Sequence, residues 1–206
     1  MKSRSEWLIG SLMDRHSELV VIGGCGHVGL PLAIVAAHAG RWTTICDTDA
    51  NAVSLVMGGK TPFLEDGAEP LLAKGLASGR LTATTDPAVV GRADIVVIVI
   101  GTPIDEHLTP RMNVIFDVLR EYLRHFKSGQ LLVLRSTVYP GVSAKVQEFF
   151  DEKGLDVAVA FCPERVAQGN VIREFSELPQ IASVFSERGL QGANNSFDPS
   201  RSASSL

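Results

Sequence analysis

The sequence has few cysteines, no excess of positive charge and no long apolar run, and each shortage excludes a class of protein. Three cysteines in 206 residues are too few for a disulfide scaffold and odd in number, so we expect reduced thiols and a cytoplasmic protein. The formal net charge of -4 provides no basic field, which argues against nucleic-acid binding. No stretch approaches the roughly 20 apolar residues that cross a bilayer, so no membrane insertion is expected.

What the sequence does contain is enough apolar material for a core, with 45% hydrophobic and 20% charged residues. A chain of this length predicts one domain of ordinary size. We expect it to occupy residues 18–185, after a short amphipathic helix over residues 1–17. Residues 186–206 are rich in Ser, Gly and Asn and have little to bury, so they are predicted to be a disordered tail.

Short β-branched apolar runs alternate with helix-like stretches along the chain. This order predicts an α/β fold with a doubly wound, mostly parallel sheet of six or more strands and helices on both faces. The run over residues 95–100 has no polar alternation, which predicts a central strand. Glycines at the predicted helix ends are expected to be left-handed. The predicted strands are 19–22, 43–46, 81–84, 95–100, 131–134 and 157–161; the predicted helices are 28–39, 50–57, 68–77, 114–126 and 142–150; the helix-end glycines are Gly40, Gly58, Gly79, Gly129 and Gly154.

The first predicted strand runs directly into a glycine-rich turn, Gly24-Cys25-Gly26-His27-Val28-Gly29, and then into a helix. This context predicts a dinucleotide-binding (Rossmann-type) fingerprint: Gly24 for the tight turn, Gly26 for approach of the pyrophosphate and Gly29 for close packing. The pyrophosphate would rest on the positive end of the helix. We expect His27 to pack over the turn rather than to act as an acid or base. The predicted cofactor contacts in the turn are Gly24, Gly26, His27, Val28 and Gly29.

The second predicted strand ends at Asp47, close to the spacing of about 20 residues at which an acid binds the adenosine ribose. Such a carboxylate accepts the ribose hydroxyls and repels a 2′-phosphate, which favours NAD over NADP as cofactor. The alternative is that Asp47 caps the next helix, although Asp49 is the better candidate for that cap.

Three further loops follow the fourth, fifth and sixth predicted strands and should face the same crevice as the glycine turn. Together with the Gly29-Leu30-Pro31 segment, their order and spacing resemble the N-terminal domain of the UDP-glucose/GDP-mannose dehydrogenase family, over about residues 18–180. The loops are Gly101-Thr102-Pro103, Arg135-Ser136-Thr137-Val138-Tyr139-Pro140-Gly141 and Cys162-Pro163-Glu164-Arg165-Val166-Ala167-Gln168-Gly169.

The resemblance implies oxidation of a sugar-nucleotide 6-hydroxyl to a carboxylate in two NAD-dependent steps, through a thiohemiacetal on a cysteine. The resemblance also implies that Gly101, Thr102 and Pro103 lie near the nicotinamide ribose. It implies that Ser136 and Thr137 lie at the nicotinamide and that Thr137 holds the catalytic water. Finally, it implies that Glu164 lies beside the reacting carbon and that Arg165 contacts the substrate. Read without the resemblance, Ser136 and Thr137 are ordinary helix caps and Glu164 is a solvated loop charge.

The Pro-Glu-Arg segment resembles that of members acting on UDP-N-acetylhexosamines, which favours UDP-N-acetylmannosamine or UDP-N-acetylglucosamine as substrate. No metal site is predicted.

The family's enzymes are about twice as long, and none of Cys25, Cys46 and Cys162 corresponds to their nucleophile; we expect these three to be small buried hydrophobes. Catalysis would then need a partner chain or a homo-oligomer that supplies the missing domain. The alternatives are a truncated, non-catalytic NAD-binding module and a dehydrogenase of the β-hydroxyacid type.

Overall fold

The computed structural model describes residues 17–101, 113–163 and 183–184, which form one sheet with helices on both faces. The predictions for residues 1–16 and for the tail over 186–206 lie outside these ranges. The strands are β1 Glu18–Ile22, β2 Trp42–Cys46, β3 Leu81–Thr84, β4 Ile95–Ile98, β5 Leu131–Leu134, β6 Ala158–Phe161 and β7 Ser183–Val184. The α-helices are α1 Gly29–His38, α2 Ala50–Met57, α3 Ala68–Ala77, α4 Asn113–Tyr122 and α5 Val142–Glu152, and two 3-10 helices cover Pro87–Arg92 and Leu123–His125.

The sheet order within the described residues is β3-β2-β1-β4-β5-β6-β7, and every pairing is parallel except that of β7 with β6. The chain therefore builds outward from β1 to β3 and then returns to place β4 beside β1. This reversal is the topological switch point of a doubly wound fold, and it confirms the predicted fold class.

Strand alternation divides the core into two layers. Leu19 and Val21 of β1 face the layer that packs α1 and α3, whereas Val20 and Ile22 face the layer that packs α4 and α5. The four residues of β4 are all buried, and β4 lies in the middle of the sheet as predicted. Both faces are covered, which is why these strands read as continuous apolar runs.

Several predicted boundaries differ from the structure. β4 ends at Ile98 rather than at residue 100, and the helix predicted over 114–126 changes from α to 3-10 geometry after Tyr122. The 3-10 helix over Pro87–Arg92 and the short β7 were not predicted. Among the described helices, none is long and apolar enough to cross a membrane.

One helix-end glycine was predicted wrongly. Gly40, Gly79, Gly129 and Gly154 have positive φ, but Gly58 has a φ of -79° and the left-handed residue is Gly59, with a φ of 75°. The reason is that Gly58 is still the C-cap of α2. The N-H of Gly59 bonds to the carbonyl of Val56 and that of Lys60 to the carbonyl of Leu55, the pattern in which the residue after the cap is left-handed.

Candidate functional site

The candidate cofactor site lies at the carboxyl edge of the sheet. Because β1, β2, β4, β5 and β6 are parallel, the segments that follow them emerge at this same edge. The glycine turn follows β1, Asp47 follows β2, Gly101 comes shortly after β4, and Ser136 and Thr137 follow β5. The topology thus brings together residues that are far apart in sequence, at the edge where such sheets bind ligands.

The turn after β1 is left-handed at Gly23, with a φ of 72°, rather than at Gly24. A side chain at Gly23 would collide with the backbone carbonyl of Val99, the residue directly after β4. Gly24 is needed for a different reason, because a Cβ there would lie 2.8 Å from the carbonyl oxygen of Val21 and 2.9 Å from a methyl group of Ile45. The glycine motif predicts the tight turn at Gly24. The adjacent Gly23 is the residue that could have indicated the left-handed position.

The other two glycines of the fingerprint have opposite surroundings. A Cβ at Gly29 would lie 2.6 Å from the Cα of Gly24, so the beginning of α1 packs directly on the turn. A Cβ at Gly26 would meet only the carbonyl oxygen of Gly23, at 3.8 Å, and Gly26 is exposed. Space is therefore left beside the N-terminus of α1, where a pyrophosphate needs it.

The N-terminus of α1 has no side-chain cap. Its N-cap residue is Val28, whose side chain cannot accept a hydrogen bond. The first N-H groups of a helix have no partner within the helix, and together with the helix dipole they favour an anion. A bare glycine surface beside an uncapped helix fits the pyrophosphate of a dinucleotide.

Asp47 connects the end of β2 to the glycine turn. One carboxylate oxygen accepts the backbone N-H of Cys25 at 2.9 Å, and the other accepts that of Asp49 at 3.1 Å. Asp47 does not cap α2, because Asp49 does so by accepting the N-H groups of Asn51 and Ala52. The capping alternative for Asp47 is therefore wrong, and the prediction that Asp49 is the cap is confirmed.

His27 contacts an aromatic side chain from outside the turn. Its exposed ring stacks on that of Phe63, which belongs to the loop between α2 and α3, with ring centroids 4.0 Å apart. Phe63 was not predicted as a site residue, because no sequence motif or spacing relates it to His27.

The three cysteines are buried, as predicted, and lie outside any disulfide. Burial, reinforced by the charge of nearby Asp47, raises the pKa of the Cys25 thiol to about 12. Burial likewise raises the pKa of Cys46, whose sulfur lies 3.5 Å from the hydroxyl of Tyr122. Burial, first of all, also raises the pKa of Tyr122. At neutral pH these groups are uncharged and serve packing.

On the other side of the switch point, Ser136 is buried and hydrogen-bonded to the backbone of Ile100. Its hydroxyl donates to the Ile100 carbonyl at 2.7 Å and accepts the Ile100 N-H at 3.0 Å. Thr137 is exposed. The helix that follows, α5, has Gly141 as its N-cap and no side-chain cap, so neither Ser136 nor Thr137 is a helix cap.

Gly101 also belongs to this part of the edge and is exposed, with open space where a Cβ would stand. Four predicted site residues lie outside the described residues: Thr102, Pro103, Glu164 and Arg165. Within the ranges that are described, no group of three or more His, Cys, Asp and Glu side chains is placed to hold a metal ion.

Comparison with known proteins bears on this geometry. The UDP-glucose/GDP-mannose dehydrogenase family, NAD binding domain, matches residues 18–188. GDP-mannose 6-dehydrogenase from Pseudomonas syringae pv. tomato is 34% identical over 175 residues, which cover 80% of this chain and 40% of that protein. UDP-N-acetyl-D-mannosamine dehydrogenase from Methanococcus aeolicus is 26% identical over 182 residues, covering 86% of this chain and 41% of the relative.

Among solved structures, the NDP-N-acetyl-D-galactosaminuronic acid dehydrogenase from Methanosarcina mazei Go1 superposes with a TM-score of 0.79 and 27% identity. The match covers 97% of this chain and 45% of the other. The chain therefore spans less than half the length of these relatives. The family match also argues against the alternative of a β-hydroxyacid-type dehydrogenase, because such enzymes form a different family. This chain belongs to the UDP-glucose/GDP-mannose dehydrogenase family of nucleotide-sugar dehydrogenases, and it contains the family's NAD-binding domain, whose cofactor is NAD.

Proposed function

We propose that this chain binds NAD at the carboxyl edge of its sheet and provides the cofactor domain for oxidation of a UDP-N-acetylhexosamine 6-hydroxyl to the uronate. The observation that carries the proposal is the Asp47 carboxylate bonded to the glycine turn, beside the open surface at Gly26 and the uncapped start of α1. A carboxylate bonded to the glycine turn, with an anion-binding helix end beside it, suits the ribose and the pyrophosphate of an ADP group.

The adenosine half of the cofactor belongs on the β1 and β2 side of the switch point. The pyrophosphate rests on the first turn of α1 over Gly26, with His27 and Val28 beside it. Asp47 accepts the ribose hydroxyls through lone pairs that its two backbone donors leave available, because an ionised carboxylate accepts about four hydrogen bonds. A 2′-phosphate would meet a negative charge there, which favours NAD over NADP.

The nicotinamide half belongs on the β4 and β5 side, where Gly101 and Thr137 are exposed and Ser136 holds the backbone between them. Thr102 and Pro103 follow Gly101 in the sequence. NAD, when bound, accepts the hydride from the sugar carbon. The exposed hydroxyl of Thr137 holds the water that attacks the acyl carbon. Glu164 removes a proton from that water as general base, and Arg165 contacts the nucleotide sugar.

The substrate proposed is UDP-N-acetylmannosamine or a related UDP-N-acetylhexosamine. Support comes from the Pro163-Glu164-Arg165 segment and from the similarity to the Methanococcus aeolicus enzyme. The competing sugar is GDP-mannose, which the name of the Pseudomonas syringae relative gives.

Because all three cysteines are buried, the thiol that forms the thiohemiacetal has to come from another polypeptide segment. We therefore propose that a cysteine-bearing domain outside these 206 residues, such as that of a partner chain, provides this thiol. We place the protein in the cytoplasm, since three cysteines outside any disulfide suit a reducing compartment.

The test begins with calorimetric titration of the chain with NAD and with NADP. We expect NAD to bind at least about tenfold more tightly, because the Asp47 carboxylate opposes a 2′-phosphate. NADH formation is then followed with UDP-N-acetylmannosamine, UDP-N-acetylglucosamine and GDP-mannose, with and without the cysteine-bearing domain of a relative. Absence of NAD binding by the folded chain would reject the proposal, and faster turnover of GDP-mannose would reject the substrate assignment.

A second candidate function is that of an NAD-binding module without catalysis. It is favoured by the burial of every thiol in the chain. It predicts the same preference for NAD over NADP, together with no NADH formation from any nucleotide sugar, whether or not a cysteine-bearing domain is supplied.

A further inference from the structure

Two successive side chains at the end of β5 reach in opposite directions across the sheet. Ser136 bonds to the backbone of Ile100, just after β4, and Arg135 donates from a guanidinium nitrogen to the sulfur of Cys162, just after β6, at 3.2 Å. Arg135, Ser136 and Cys162 are all buried. The ends of three neighbouring strands are thus joined through side chains.

The Ser136 contact continues the sheet where its backbone ladder stops. The last backbone bond between β5 and β4 runs from the N-H of Arg135 to the carbonyl of Ile98, at 3.1 Å. Two residues further along, the Ser136 hydroxyl both donates to and accepts from Ile100. One side chain therefore bonds to both the N-H and the carbonyl of the partly buried Ile100.

The Arg135 contact likewise lies beyond the last backbone bond, here between β5 and β6. The backbone ladder between β5 and β6 ends with the N-H of Cys162 bonding to the carbonyl of Leu134, at 2.9 Å. The next contact between the strand ends is the bond from the Arg135 guanidinium to the Cys162 sulfur. A buried guanidinium is costly unless it is hydrogen-bonded, so its position is restricted.

Ile100 and Ser136 each directly precede an exposed residue of the nicotinamide half of the site. Gly101 follows Ile100, and Thr137 follows Ser136. Resting on the function proposed above, we infer that Arg135 and Ser136 are positioning residues that fix the spacing of the β4, β5 and β6 ends and so shape the nicotinamide half-site, without contacting the cofactor. The adenosine half depends on α1 and Asp47 and involves none of these bonds.

This separation provides an internal control, because ADP occupies only the adenosine half whereas NADH occupies both. The Ser136→Ala variant should lose about three- to tenfold in NADH affinity, as expected for the loss of two hydrogen bonds that hold the site, and should keep its ADP affinity within about twofold. Cys162→Ala should show the same pattern with a smaller loss. Ser136→Thr and Cys162→Ser, which keep a hydrogen-bonding atom, should recover part of the affinity.

Ser128→Ala is the matched control variant. Ser128 also joins neighbouring segments, because its hydroxyl accepts the N-H of Asp156, but it does so at the opposite, amino edge of the sheet. It should change neither affinity. Thermal unfolding of each variant sets a titration temperature at which all are folded.

The outcomes separate the two proposals. If the unaltered chain binds neither ADP nor NADH, the proposed cofactor function fails. If it binds both and Ser136→Ala loses ADP and NADH affinity in equal measure, or loses neither, the positioning role is wrong while the cofactor function stands. A loss confined to NADH supports the positioning role.

Discussion

The helices α1 and α2 begin at the same edge of the sheet, after the neighbouring strands β1 and β2, but they begin differently. The start of α2 is capped by Asp49, and only Val56 of its eight residues is buried. The start of α1 has no side-chain cap, and eight of its ten residues are buried. An uncapped helix typically loses about 1 kcal/mol relative to a capped one, so α1 depends on packing for stability. In its first turn the N-H of Leu30 bonds to the carbonyl of Gly26 and Pro31 has no N-H, so Gly29 is the residue whose N-H can meet a ligand.

The largest effect should come from Gly29→Ala, which breaks the packing of α1 on the turn. The new Cβ would stand 2.6 Å from the Cα of Gly24, a backbone atom that cannot move cheaply. We expect about 2–3 kcal/mol of destabilisation by denaturant titration, together with loss of measurable NAD binding.

Gly26→Ala is the control for that variant, since its Cβ would have space within the protein but would enter the pyrophosphate position. Its stability should change by less than about 0.5 kcal/mol, while its NAD affinity should fall at least about tenfold. Equal stability losses in the two variants would show that the two glycines do not differ as described.

The next effect concerns Asp47. The Asp47→Asn variant keeps one acceptor oxygen but removes the charge that repels a 2′-phosphate. We expect NAD affinity to fall about tenfold and the preference for NAD over NADP to shrink, as measured by calorimetric titration of both cofactors. An unchanged preference would mean that Asp47 does not face the adenosine ribose.

Asp49→Ala tests the other member of the pair. Loss of its bonds to Asn51 and Ala52 should cost about 1 kcal/mol in the free energy of unfolding, and NAD affinity should be unaffected. Asp47 would then determine cofactor affinity and Asp49 the stability of α2, although the two residues are only two positions apart.

The smallest effect is the alkaline dependence that Cys25 contributes. Its thiol pKa is raised from 9.0 to about 12 in the folded chain, so below pH 9 both folded and unfolded thiols are protonated and make no difference. Between pH 9 and 12 the unfolded thiol ionises first, and the free energy of unfolding should fall as pH rises. Denaturant titrations across this range should show a shallower fall for Cys25→Ala; an identical slope would argue against a buried, protonated thiol.

Much of the fold was predictable from the sequence, because local patterns encode it. Apolar runs gave the first six strands in order, and Asp49 was recognised as a cap from its place before α2. The predictions failed where geometry depends on neighbours. Gly58 and Gly59 are equally permissive in sequence, and only the bonds that close the last turn of α2 decide that Gly59 is left-handed.

The site divides in the same way. The glycine turn and Asp47 were predicted because a fixed spacing relates them, but the bond between Asp47 and the N-H of Cys25 was not. The stacking of His27 on Phe63 and the bonds from Ser136 to Ile100 join residues that have no local relation. These contacts depend on which loops meet at the carboxyl edge.

By itself, the sequence determined the alternation of strands and helices, the bare glycine surface and the acid after β2, since propensity, periodicity and short spacing act within a few tens of residues. Only the tertiary structure decided that Gly23 makes the left-handed turn, that Asp47 holds the turn rather than α2, and that Arg135 and Ser136 join three strand ends. The physical reason is that hydrogen bonds and close contacts between distant residues exist only after the order of the strands has placed them side by side.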